Sequence, residues 1–554
     1  MKSSRNILRN VGWAVVALWL GGAVQSASGD ALTGGTAIVD ATALRELDLP
    51  HAVAGFGLRR MLDPDGPANA VLSNDELFAL PAMLPVRQAI DRDIDAYADR
   101  HRADLASQPR DADDRSRLQL FDRDLLYSAH ARFVLAGIVN RMDRAFVSPE
   151  TCGEIRLIYR LVRTEPRADE PARLPMTLNV VLAAANPADV VPSRDAACAE
   201  VARRWLAMRD ETQTGAALVS RLTEADGPLA LLQPSQLIRI ELNLQVGHQP
   251  KSETHAFRTD YLMKVFQYDQ TTRRFDEAPL EDQIDRDRIL ADAKLRAEFA
   301  EWLLQPKHLS AFDRGTVLVP EKFLARSVIA STPVGFVKSN MQPELGLVQP
   351  SSADKQSAFS ARDVVAALKK AADNGVAFEN IRSVAGFERR LNDITCAGCH
   401  QTRGIGGFHF PGADWVSSAS TPVANVPASP HFIGDQPRRR DILQAFRDGH
   451  APDFSRGFSG KPQLRGDTAL LGTEYYDGWG AHCYDARAQD AKDRSFQSWT
   501  CAKGLSCQVI GEAGRSEHTS EHMGMCFVGS SAGEYGDERR RAGLKATRPS
   551  DRAK

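Results

Sequence analysis

Two hydrophobic rhythms run along this chain, and the switch between them divides it. From Leu84 to His101 apolar residues recur at helical steps, with Val86, Ile90, Ile94 and Tyr97 on one face, which predicts an amphipathic helix. A second helix is predicted over Leu125–Phe146, a stretch rich in Ala, Phe, Val and Leu that ends in NRMDRAF. From Cys152 the period drops to two. Glu154–Val162 reads as a strand with Arg156 and Arg160 on one side, and Thr177–Ala184 is a continuous apolar run of the kind that forms buried strands. Leu237–Val246 alternates most strictly. Ile238, Ile240, Leu242, Leu244 and Val246 are interleaved with Arg239, Glu241, Asn243 and Gln245, which predicts one buried and one wet face. Tyr261–Tyr268 is a fourth strand, closed by a polar turn, and Cys198–Met208 is a helix between the second and third. These elements predict an α+β fold: a mainly antiparallel sheet with flanking helices.

Downstream the helical period returns. A charged helix is predicted over Glu281–Leu304 and a short one over Glu321–Ala330. The stretch 331–360, with Pro333, Pro343 and Pro350, reads as a linker. Helices over Ala361–Asn374 and Asn380–Thr395 follow, then a short one over Arg438–Asp448. Residues 473–528 carry four closely spaced cysteines, the texture of a small cross-linked module with little core volume. The expected organisation is a leader at 1–29, an α+β domain at 30–330, the linker, a helical segment at 361–450, the cysteine module and a solvated tail at 529–554.

Composition places the chain among globular proteins, with 43% hydrophobic and 25% charged residues. Its 554 residues exceed what one core usually supports. Residues 1–29 have the form of a secretory signal: basic Lys2, Arg5 and Arg9, an apolar stretch Val11–Val24, then small residues from Ser26 to Gly29. That stretch is too short to span a bilayer comfortably, so no membrane role beyond export is expected. Loss of the three basic residues moves the formal charge from −2 to −5, which leaves no electrostatic case for nucleic acid. Cys152, Cys198, Cys483, Cys501, Cys507 and Cys526 form an even set, which in an oxidising compartment suggests disulfides. Cys152 and Cys198 are natural partners; the other four allow three pairings.

The remaining two cysteines carry the chemistry. Cys396-Ala397-Gly398-Cys399-His400 reads C-x-x-C-H within LNDITCAGCHQTRGIGGFHF, Leu391–Phe410. Two thiols three positions apart can each add to a vinyl group of one porphyrin, and the adjacent histidine then lies beneath the iron. A thioredoxin-type pair should follow a strand, whereas Val384, Phe387, Leu391 and Ile394 form a helix arriving at Cys396. A zinc site would need further ligands at matched spacing, which are not nearby. In these five residues and the helix before them the chain resembles the c-type cytochromes. The resemblance implies one covalent haem c, held by Cys396 and Cys399 with His400 as proximal ligand, and attachment outside the cytoplasm.

The chain departs from that family in having no methionine between Met341 and Met523, where a small cytochrome c finds its second axial ligand. His409 is the candidate instead, on a path made passable by Gly404, Gly406 and Gly407. Arg403 is a candidate partner for the haem carboxylates, with Asp393 a weaker one explained equally by solvation of its helix. His518-Thr519-Ser520-Glu521-His522 matches H-x-x-E-H formally but sits between Gly514 and Gly524, in what reads as a solvated loop. The expected function is single-electron transfer by an exported haem protein with a redox partner protein. A haem enzyme with an open sixth position, peroxidase- or oxygenase-like, is the alternative within redox chemistry. A secreted, disulfide-stabilised binding protein without haem is the alternative outside it.

Overall fold

A computed structural model describes residues 34–50, 55–67, 70–102, 118–164, 173–185, 193–249, 258–332, 348–349, 357–396, 432 and 435–456, with short pieces at 482–484, 494–496, 499–501, 505–509 and 523–527. The leader, the tail and the H-x-x-E-H stretch lie outside them.

The N-terminal half is built on a nine-stranded antiparallel sheet. Its strands are β1 (Ala37–Ile38), β2 (Gln119–Leu120), β3 (Ala131–Arg141), β4 (Glu154–Arg163), β5 (Arg173–Ala183), β6 (Leu237–Gln249), β7 (Arg258–Asp269), β8 (Arg274–Ala278) and β9 (Ser327–Thr332). They lie in the order β1-β3-β4-β5-β6-β7-β8, with β2 added to β6 and β9 to β7. The α+β fold class is as expected. One face packs on helices α1 (Ala41–Asp48), α2 (Leu84–Arg100) and α3 (Arg194–Ala207), sharing a core that includes Leu44, Ile90, Leu157, Leu178 and Trp205. The disulfide Cys152–Cys198 ties α3 to the start of β4.

Three predicted elements are corrected. Leu125–Phe146 is not a helix. One turn, Arg123–Leu126, capped by the Asp122 side chain, gives way to β3. Ten of the eleven β3 positions are buried, so both faces are covered and no alternation marks the strand, while its Phe, Val and Ile suit the pleat. Glu281–Leu304 is two helices, α4 (Arg286–Ala291) and α5 (Ala293–Leu303). The break falls at Asp292, whose carboxylate accepts from the backbone N–H of Lys294 (2.8 Å) and Leu295 (3.1 Å). Glu321–Ala330 holds only a turn at Glu321–Phe323 before β9 pairs with β7.

A second core lies beside the sheet domain. It joins α4, α5 and α6 (Pro306–Arg314) to α7 (Ala361–Asp373) and α8 (Val384–Asp393), through Phe299, Leu309, Phe312, Phe387 and Leu391 among others. It therefore draws on both sides of 331–360, where Val348–Gln349 pairs in parallel with Phe359–Ser360. α8 starts later than expected because Ser383 caps it, accepting from Gly386 N–H at 2.9 Å. The preceding turn is held by buried Asp313, which accepts from the N–H groups of Glu379, Asn380 and Ile381 at 2.9, 2.7 and 2.8 Å.

The last strands, His482–Tyr484, Ser506–Val509 and Met523–Phe527, form a three-stranded sheet stapled by Cys483–Cys507 and Cys501–Cys526. That selects one of the three possible pairings. The module meets α8 through Ser495, which accepts from Arg382 N–H at 2.9 Å, and Trp499, whose ring lies 5.1 Å from the Arg389 guanidinium. Three disulfides fit an oxidising environment. No helix of the described residues is long and apolar enough to cross a membrane.

Candidate functional site

The site lies on the second face of the large sheet, which pattern alone marks as wet. Cross-strand partners share a face, and the register aligns Arg156, Val181 and Arg239 in one row and Ile158, Asn179, Glu241 and Val265 in the next. Asn243 and Gln245 are buried, and Arg239 and Glu241 are half-buried. This corrects the expectation of a solvated face. Strand alternation reports which side chains differ in polarity, not what later chain covers them. Here the cover is the loop after β8, the end of α8 and the segment after α9 (Gln436–Arg447).

Burial forces these charges to satisfy one another. Glu154 is the hub. It contacts Arg239 at 2.8 Å, Arg156 at 3.2 Å and Arg144 at 3.7 Å, and Arg156 reaches Glu241 at 3.0 Å. Burial alone would raise the Glu154 carboxyl, but the arginines, Arg239 first, hold it well below the usual range. A neighbouring group centres on Asp143, bound by Arg141 at 2.8 Å and by Arg438 of α9 at 2.9 Å. Arg438 and Arg439 also hold Asp435, at 2.6 and 3.0 Å. The Arg438–Asp143 ion pair therefore ties α9 to the turn after β3.

Beside this cluster opens a small cavity of about 80 Å³. Its walls have two characters. Met263, Val265, Leu280 and Cys396 form an apolar patch with Ala330 and Val328. Arg141, Arg144, Arg156 and Arg456 form a cationic side, with Glu241, Glu281 and Asp282 among them. Lys264 also borders the cavity, but it pairs with Leu242 and lies on the opposite face, where its ammonium meets Asp93 at 2.5 Å and Glu277.

Cys396 ends the descent from α8 and is 6% exposed. It is the free cysteine among the described residues. Burial, then the carboxyls of Asp282, Glu241 and Glu281, push its thiol up to about 12. Asp282 has the opposite chemistry to its paired neighbours. Burial, and then Glu281, push it up to about 8 against the pull of Arg144 and Arg456. Its Oδ1 is buried without a hydrogen-bond partner, and its backbone is left-handed, at φ 62°. Arg456 is lowered to about 10, by burial and by Arg144 and Arg438.

Of the residues expected at the site, Cys396 lines this cavity, whereas Cys399, His400, Arg403 and His409 lie outside the described residues. Asp393 is not a solvated helix position: it is 1% exposed and pairs with Arg389 at 3.2 Å. The sulfurs of Cys483, Cys501 and Cys526 lie close enough together for a metal, but each is spent in a disulfide and offers no thiolate. Pattern reading did not find Arg144, Arg456, Asp282 or Met263. Met263 is on β7, far upstream of the motif, and nothing local distinguishes Asp282.

Comparison of the chain with protein families, with characterised proteins and with solved structures finds no match in any of the three.

Proposed function

We propose that this is an exported c-type haem protein that passes single electrons to or from a redox partner protein. One haem c is attached through Cys396 and Cys399, with His400 as its proximal ligand. The observation that carries the reading is the position of Cys396. Six of the eight cysteines are consumed in disulfides, and the first thiol of C-x-x-C-H instead lines a small two-sided cavity.

The described lining shares part of the chemistry of the group, although the cavity in the closed chain is too small to hold a whole ring. A haem is an apolar ring with two carboxylates, and the cavity offers an apolar patch at Met263, Val265 and Leu280 beside guanidinium groups at Arg144, Arg156 and Arg456. Planar guanidinium suits carboxylate, so these arginines join Arg403 as candidate partners for the haem carboxylates. When bound, the haem supplies a one-electron iron couple. The chain's own part is to hold the ring edge by sulfur, to exclude water with the apolar patch, and to fix positive charge on one side through the Glu154 hub. His409 remains the sequence candidate for the sixth position. The three disulfides support a periplasmic or secreted location.

Optical spectra of the full chain, matured with haem-attachment machinery, test the reading. A sharp α band on reduction is expected, and Cys399→Ser should abolish covalent haem. His409→Ala should turn a low-spin spectrum high-spin. A large carbon monoxide shift in the parent protein would favour the haem enzyme with an open position. Absence of any Soret band would leave the disulfide-stabilised binding protein.

A further inference from the structure

Arg141, Arg144 and Asp282 line the cavity, and each keeps a buried polar atom with no hydrogen-bond partner. Buried polar atoms are ordinarily paired, so these call for an account. Two are donors, on arginines that are 2% and 5% exposed. Arg141 spends Nε and Nη2 on Asp143, at 2.8 and 3.2 Å, and leaves Nη1 over. Arg144 gives Nη2 to Glu281 and holds Nε 3.7 Å from Glu154, too far for a hydrogen bond. The third atom is an acceptor, Asp282 Oδ1.

Asp282 is held in place from a left-handed backbone, at φ 62°, that a side chain rarely adopts. The chain around it is pinned: Leu280 N–H donates to Ala325 O at 2.8 Å, Ala325 N–H to Gln283 O at 2.8 Å, and Ile284 N–H to Asp282 O at 3.0 Å. Such strain persists only where the surroundings impose it. The other two carboxyls of the wall are engaged, Glu241 by Arg156 and Arg239, and Glu281 by Arg144. What the cavity leaves unmet is therefore two cationic donors and one carboxyl oxygen.

We propose that this cavity binds inorganic phosphate as hydrogenphosphate, whose bare oxygens accept from Arg141 Nη1 and Arg144 Nε and whose O–H donates to Asp282 Oδ1. The inference is independent of the haem reading, because it concerns the closed cavity and needs no porphyrin. A space of about 80 Å³ is room for a few water-sized groups, which suits a single small oxyanion. Guanidinium matches phosphate oxygens in geometry as well as charge, and removal from water strengthens the attraction.

Asp282 sets which oxyanion is taken. An ionised carboxyl repels an anion that has no proton and accepts from one that keeps a proton. At mildly alkaline pH hydrogenphosphate retains one, whereas sulfate and phosphate monoesters have none. The groups facing Asp282 leave this choice to it. Burial and then Glu281, on its own loop, push it up to about 8 against Arg144 from the turn after β3 and Arg456 from the segment after α9. Glu241 of β6 is held low by its arginines despite its burial, and Cys396 at the end of α8, pushed up to about 12, keeps its proton. Arg141 and Arg156, on the same wall, stay paired with Asp143 and Glu241.

The test is isothermal titration calorimetry of the full chain at a pH of about 9, above the Asp282 value, with inorganic phosphate, sulfate and methyl phosphate as probes. One phosphate per chain is expected, with sulfate and methyl phosphate weaker by about tenfold or more, the scale of one lost charge-assisted hydrogen bond. Asp282→Asn, a residue that tolerates this backbone and carries no charge, should remove that preference. Arg141→Lys keeps a cation for Asp143 without the Nη1 donor and should weaken phosphate about tenfold. Arg456→Gln, changed outside the sheet, should weaken it too, and circular dichroism identifies which variants are folded. No saturable phosphate binding, equal affinity for phosphate and sulfate in the parent, or an affinity unmoved by the arginine changes in folded protein overturns the site. Phosphate binding with this pattern in a matured chain that shows no haem absorbance upholds the site while sinking the haem reading, so the two fail separately.

Discussion

Glu154 and Asp282 border the same cluster and answer its electrostatics in opposite ways. Glu154 is more deeply buried, yet three arginines keep it charged; Asp282 has nearby positive charge but an oxygen with no donor. Removing one partner of a buried ion network leaves the others uncompensated, at a cost of about 3–5 kcal/mol. Glu154→Gln should therefore lower unfolding stability in urea by about that amount at neutral pH. The pH sign is fixed by the direction of the shift. A carboxyl held below its ordinary value of 4.5 contributes stability that is present above that value and lost as pH falls through the depressed one. The acid limb of the stability profile should accordingly be shallower in Glu154→Gln than in the parent. At this scale the residue types were legible. Arg156, Arg239 and Glu241 were all visible as a polar row on two strands, but their mutual pairing depends on register and on a cover supplied by distant chain. No property of residue 282 on its own marks it.

Among the elements, those with a clean period were readable. α2, β4, β6, β7, α7 and α9 lie where apolar spacing puts them. β3 was not, because a strand covered on both faces loses its alternation, and a run of buried apolar residues suits helix and strand alike. The split between α4 and α5 turns on one capping aspartate inside an otherwise helical run. The approach to Cys396 also turns on one aspartate. Asp313 receives three backbone N–H groups ahead of α8, and its carbonyl receives the Arg390 side chain at 2.5 Å. Asp313→Ala leaves those buried donors without an acceptor, and each such group costs about 1–3 kcal/mol. Loss of roughly 3 kcal/mol or more is expected in denaturant unfolding, with Asp313→Asn intermediate because it keeps one accepting oxygen. Equal stability of all three proteins would show that the turn is held by other contacts.

Across the whole molecule the cysteines were the most legible feature and the cavity the least. The pairing of Cys152 with Cys198 follows from their isolation in one half of the chain, whereas the module's pairing needed its three-stranded sheet. The 46-residue separation of the first pair gives a stabilisation of about 4 kcal/mol on the chain-entropy account. Replacing both cysteines with alanine should lower the thermal midpoint accordingly, and an unchanged midpoint would mean that the packing of α3 alone suffices. The cavity draws on β3, β4, β6, β7, the loop after β8, α8 and the segment after α9, so no single stretch of sequence announces it. On the haem reading proposed above, one feature of that cavity would set the order of assembly. A thiol pushed up to about 12 is almost never a thiolate at neutral pH, and at 6% exposure it is hard for a reactant to reach. The closed chain thus shields Cys396 from scrambling with the six disulfide-forming cysteines, and on the haem reading proposed above the porphyrin would have to be joined before the chain closes.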